Sequence, residues 1–163
     1  MKTLALLVVI LVCGAIGLTL YKIRTVEHDP AIWHLDPLTA ESQLTPNHFR
    51  LAPQAMTELK VDQEAPIFTG NIQEIARAFD TFVLSQKDTT RIAGSVEQLW
   101  MTYVQRTPRL KIPDYISVKF IPLELADKST VAIFSRSRFG NGDMGVNEGR
   151  VTAWMTSLDA FAE

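Results

Sequence analysis

Phe134-Ser135-Arg136-Ser137-Arg138-Phe139-Gly140-Asn141-Gly142-Asp143-Met144-Gly145-Val146-Asn147 is the stretch on which the reading of this chain turns. An apolar strand, Thr130 to Arg138, runs into it, and an amphipathic helix leaves it from about Gly145 to Phe161. Three glycines within six positions mark a turn that needs positive φ or close packing. Gly140 to Gly145 also fits G-x-G-x-x-G after a strand and before a helix, the dinucleotide fingerprint. That fold requires a further parallel strand and an acidic residue about 20 positions on, whereas the sequence stops at Glu163. Asp143 would also face a pyrophosphate, so nucleotide binding is rejected.

Working back from that strand, Tyr115 to Ile121 and Val96 to Arg106 alternate in the manner of strands, and Thr89 to Ala93 reads as a brief one. The connection from Thr107 to Asp114 is too short for a crossover helix, and Asp127-Lys128 suits a tight turn. Neighbouring strands are therefore antiparallel, a meander. Before them, Asn71 with Glu74 three residues later has a capping-box pattern. Ile72, Ile75, Ala76, Phe79, Phe82 and Val83 then recur at helical spacing. Helix, strands, helix predicts an α+β fold in which two helices pack on one face of an antiparallel sheet.

The first 24 residues are of another kind. Leu4 to Tyr21 is an apolar or small-residue run of 18 positions flanked by Lys2, Lys22 and Arg24. As a helix it reaches about 27 Å, enough for a thin bilayer core. A cleaved signal would end near Gly14 or Ala15, but Ile16, Leu18 and Leu20 carry the apolar run onward. Val12 is a poor neighbour for a lipidated Cys13. The expectation is an uncleaved single-pass transmembrane helix holding the chain in the membrane through residues 4–21. Cationic flanks nearly balance; a short N-terminus before a compact domain favours the extracytoplasmic, periplasmic side. Residues 25–63, punctuated by Pro30, Pro37, Pro46 and Pro53, read as an extended arm lying on the domain, and residues 64–163 as the domain itself.

Composition limits the function. Beyond residue 24 there are 13 Lys/Arg against 18 Asp/Glu, a poor match to nucleic-acid binding. One cysteine permits neither an internal disulfide nor a cysteine-built zinc site. His28, His34 and His48, with Asp36 near, match no compact ligand motif. Asn141, Asp143, Asn147 and Glu148 lack the spacing of a calcium loop. Ser135 and Ser137 lie on a strand without a nucleophile elbow. No catalytic, cofactor-binding or metal residue is assigned. The notable group is Arg136 and Arg138, on one strand face with Ala132 and Phe134, together with Arg106, Asp114, Asp143 and Arg150. Buried guanidinium groups need partners, so the favoured reading is a salt-bridged lock of strand end, turn and helix start. The alternative is an anion or lipid-headgroup site, or an enzyme centre, near Asp114, Arg136, Arg138 and Asp143.

Residues Ser135 to Val151 resemble the C-terminal signature of the DUF1499 family, with its serine/arginine strand end, glycine, aspartate, Gly145-Val146-Asn147 and basic Arg150. Leu38-Thr39-Ala40-Glu41, Pro46-Asn47, Tyr103-Val104-Gln105-Arg106 and Pro113 to Val118 are similar to pieces of its anchored members. The resemblance covers roughly residues 30–160. It implies an envelope-type or plastid setting and no established catalytic residue or cofactor. Glu148-Gly149 departs from a pattern in which a basic residue often follows the asparagine, which argues against a strongly cationic helix start. The functional expectation is a non-catalytic binding or interaction module of the cell envelope, with an envelope protein or lipid as partner.

Overall fold

The computed structural model describes residues 1–42 and 44–163. Helix α1 spans Lys2–Arg24 and is long and apolar enough to cross a membrane, with none of its candidate span buried against the rest of the chain. A single turn, α2 (Pro30–Trp33), is started by Asp29, whose carboxylate accepts from Ala31 N at 2.9 Å. Strand β1 (His48–Ala52), the short β2 (Gln63–Glu64) and β3 (Phe68–Thr69) precede helix α3 (Ile72–Ser85). Strands β4 (Thr89–Ser95), β5 (Trp100–Arg106), β6 (Pro113–Pro122) and β7 (Lys128–Ser137) follow, then helix α4 (Val146–Met155).

The α+β class stands. Strands β4 to β7 form the antiparallel meander, and both long helices of the domain, α3 and α4, lie on one face. The sheet is wider than the meander: its order is β2-β1-β7-β6-β5-β4, with β3 beside the far end of β7. Strand β1 comes from within residues 25–63 and is an inner strand, antiparallel to β7 and parallel to β2. Its period is invisible in the sequence because both of its faces are covered, and Arg50 is buried among its apolar neighbours. The segment 96–99 turns instead of extending, so β5 starts at Trp100, after Leu99 at φ 56°.

Register sorts the side chains by face. Tyr103, Ile116, Ser135 and Phe49 are paired across β5, β6, β7 and β1, as are Met101, Val118, Ile133 and Leu51. These rows face the helices. The alternate rows, Thr102-Ser117-Phe134-Arg50 and Val104-Tyr115-Arg136-His48, face the other way. Thus Ala132, Phe134 and Arg136 look away from the helices, under the N-terminal segment.

Helix α3 keeps its cap: Asn71 Oδ1 accepts from Gln73 N at 2.9 Å and Glu74 N at 3.3 Å. Ile75, Ala76, Phe79 and Val83 are buried, with Phe79 against Phe120 and Trp154. Asp80, also buried, accepts from Tyr103 Oη at 2.8 Å and pairs with Arg91 at 2.9 Å. Burial, with the Asp80 charge, pushes the Tyr103 phenol far up, so it stays a donor. Helix α4 is shorter than its apolar stripe suggests: a 3₁₀ turn, Thr156–Leu158, takes over after Met155.

Truncating Phe79, which packs against Tyr103, Phe120 and Trp154, leaves a void that such a packed layer cannot close. Phe79→Ala is expected to cost about 3–5 kcal/mol in chemical denaturation of the detergent-solubilised chain.

Candidate functional site

The six charged residues singled out above divide between the two faces of the sheet. On the helix side, at the end of the sheet, Asp114 and Arg150 form a buried ion pair. Arg150 also donates from Nε to Gln105 Oε1 at 2.6 Å and from Nη1 to Ser135 Oγ at 3.1 Å and Asn147 Oδ1 at 2.7 Å. Asn147, fully buried, is the hub. Its Oδ1 also accepts from Ser135 Oγ at 2.6 Å. Its Nδ2 donates to Asn47 O, Ser137 Oγ and Asp143 Oδ2 at 2.9, 3.2 and 2.6 Å.

Asp143 holds the helix start from outside it, accepting from Gly145 N at 3.1 Å and Asn147 N at 2.8 Å. The residue in the cap position is Gly145, at φ 79°, and it offers no side chain. Gly140, at φ 95°, turns the chain so that its carbonyl accepts from Asn47 Nδ2 at 2.8 Å. Strand end, turn, helix start and the lead into β1 therefore close on one another. Beside this network lies a cleft of about 430 Å³, lined by residues including Lys87, Gln105, Pro108, Val146 and Arg150.

Arg136, Arg138 and Arg106 belong to the opposite face. Arg136 is 2% exposed. Its guanidinium donates to Trp33 O at 2.8 Å and Ser117 Oγ at 3.3 Å, and among the described residues no carboxylate pairs with it. Burial, then the charge of Arg50, pulls it down to about 10, still protonated at neutral pH. Arg50 is 0% exposed and donates to the carbonyls of Pro37 and Ala40; its Nε has no partner among the described residues. The two cations flank the Phe134 ring, at 4.3 Å (Arg50) and 5.1 Å (Arg136) from its centroid.

Next to them Trp33 stacks on Tyr115, centroids 3.7 Å apart and planes within 7°. Arg138 donates to Tyr115 Oη at 3.3 Å and Glu27 O at 3.0 Å. Arg106 reaches Ile23 O at 3.3 Å and Lys111 O at 2.8 Å, and lies 2.9 Å from His28 Nε2. A guanidinium can only donate, so Nε2 accepts and Nδ1–H donates to Tyr115 Oη at 2.8 Å. Burial, with Arg106 and Arg138 adjacent, holds His28 below its ordinary 6.5.

His34 stacks on Trp100 and contacts Thr102 Oγ1 at 2.8 Å, while His48 Nδ1 donates to Thr45 O at 3.1 Å. The three histidines are thus separately engaged. Residue-type reasoning missed Asn47, Gln105, Arg50 and Trp33, and it weighed Asn147 only as an oxygen donor for calcium. Asn47 and Asn147 lie within the similar motifs quoted above, but no spacing rule marks Arg50. Antiparallel β7 also removes the parallel strand geometry that a dinucleotide fingerprint requires.

The model of a protein family of unknown function, DUF1499, matches residues 33–158, more than half of the chain, and the chain belongs to that family. No curated protein matches it. The matched span begins at Trp33, where the N-terminal segment meets the sheet, and includes every residue of the helix-side network.

Two outcomes are expected. Asp114→Asn and Arg150→Met each leave a buried group unpaired and cost about 3–5 kcal/mol, and the double variant costs clearly less than their sum. A double-mutant cycle in urea measures this. Because folded His28 resists protonation, the unfolded chain binds more protons below 6.5, so stability is full above that pH and falls as pH drops through the depressed value. His28→Gln is expected to flatten that part of a thermal-midpoint profile between about pH 7.5 and 5.

Proposed function

We propose that this DUF1499 chain is a membrane-anchored, extracytoplasmic module of the cell envelope that works by binding and performs no chemistry of its own. The observation that carries this reading is the closure of the signature network. Asp114, Asp143, Asn147 and Arg150 are engaged with one another or with Ser135, Gln105 and main-chain groups. An enzyme or anion site near Asp114, Arg136, Arg138 and Asp143 needs a group free for a ligand. Arg136 and Arg138 instead donate to the carbonyls of Trp33 and Glu27.

Support for the anchor is α1, whose apolar side chains lie exposed along the run from Leu4 to Leu18. In water that surface costs roughly 25 cal/mol per Å², and a bilayer removes the cost. The rest of the chain is acidic, with 13 Lys/Arg and 18 Asp/Glu, which suits a domain that meets proteins or lipids better than nucleic acid.

Full-length protein extracted in mild detergent from its native host is expected to carry a defined envelope protein or lipid, identified by mass spectrometry. A C-terminal reporter active only outside the cytoplasm is expected to light up. Activity of a cytoplasm-only reporter would reverse the orientation, and turnover of a substrate in a metabolite screen would remove the non-catalytic reading.

A further inference from the structure

The connection between β5 and β6, residues 107–112, meets the end of α1. Arg24 Nη2 donates to Arg109 O at 3.4 Å, and Arg106 Nη1 donates to Ile23 O at 3.3 Å. Arg24 lies three residues past Tyr21, the end of the apolar run, or about 4.5 Å along the helix axis. With α1 across a bilayer, the 107–112 loop is therefore placed at headgroup depth. Pro108, Arg109 and Leu110 are exposed there, Leu110 at 48%.

Charge agrees with that depth. Lys22, Arg24, Lys87, Arg106, Arg109 and Lys111 gather at this end of the molecule. Lys111 is held at 2.7 Å by Asp88, while Arg106 donates only to neutral acceptors, His28 and two carbonyls. Lys22, Arg24, Lys87 and Arg109 take part in none of the ion pairs among the described residues. Of the acids at this end, Asp114 is paired with Arg150, Asp143 caps the start of α4, Glu148 lies in the first turn of α4, and Glu27 and Asp29 lie on the segment that leaves α1. A chain that is acidic beyond its first helix thus turns its basic end to the place where that helix leaves the bilayer.

We propose that the 107–112 loop and the exit of α1 form one docking surface for anionic phospholipid headgroups, with Leu110 dipping into the acyl boundary. Guanidinium and ammonium groups supply the attraction, and each is worth roughly a fivefold change in the docked population. The exposed leucine supplies depth. This rests on α1 spanning the membrane, and it adds a second contact that fixes how the domain sits on the surface.

The test uses the full chain, with Cys13→Ser, and a polarity-sensitive fluorophore on Leu110→Cys or, at the opposite end of the sheet, on Ala126→Cys. Each protein is reconstituted into vesicles of phosphatidylcholine alone or with one third phosphatidylglycerol. Expected in the anionic vesicles is a blue-shifted label at position 110, protected from acrylamide, with position 126 unprotected. High salt and Arg109→Glu are each expected to return position 110 toward water, the substitution by roughly fivefold or more in docked population. Equal quenching at 110 and 126 in both lipids overturns the docking surface. So does protection at 110 that ignores lipid charge and salt. Vesicle flotation reads the anchor separately: a chain that does not float refutes the spanning helix, whereas one that floats with position 110 unprotected refutes only the docking.

Discussion

Guanidinium groups bound to main-chain carbonyls tie the N-terminal segment to the sheet. Arg106, Arg138, Arg136 and Arg50 reach the carbonyls of Ile23, Glu27, Trp33, Pro37 and Ala40 in succession. A carbonyl carries only a partial charge, so each of these bonds is weaker than an ion pair. Arg50 and Arg136 are buried, however, and a buried cation with no acceptor costs several kcal/mol. The segment is therefore not an optional cover. It supplies the dipoles that make two buried charges tolerable, and the Phe134 ring between them adds a polarisable face.

This gives the sheet two different coverings. One face is closed by α3 and α4 through apolar contact and one buried polar network. The other is closed by an almost irregular strap through hydrogen bonds, the Trp33–Tyr115 and His34–Trp100 stacks and the Asp36–Lys119 ion pair. The two meet at β7, whose alternating residues send Ser135 and Ser137 to the helices and Phe134 and Arg136 to the strap. The strand end that opens the family signature thus organises both sides, which explains why serine and arginine alternate there.

Much of the fold was legible from the residues, because period and turn chemistry agree in the meander and in α3. Strand β1 was not, since an inner strand covered on both faces loses its alternation. The site was half legible. Asp114, Asp143 and Arg150 stand out by charge and by their places at strand and helix ends, but nothing in the sequence says which of them pair. Arg136 and Arg138 mislead a search for opposite charges, because their acceptors are carbonyls that every residue has. Asn147 has the same difficulty: its four kinds of partner come from β7, the turn, α4 and the lead into β1, which only folding brings together.

Recognition through main-chain oxygen has an evolutionary corollary. Ile23, Glu27, Pro37 and Ala40 can exchange side chains without losing the bond their carbonyl makes, whereas His28, Trp33, His34 and Asp36 are also held through their side chains. Insertions and deletions are another matter, since one added residue shifts every later carbonyl off its arginine. Homologous segments should therefore keep their length, with drift in composition confined to positions that contribute only a carbonyl. The strap then behaves as a ruler of set length between the first helix and the sheet, with a few side chains marking its divisions.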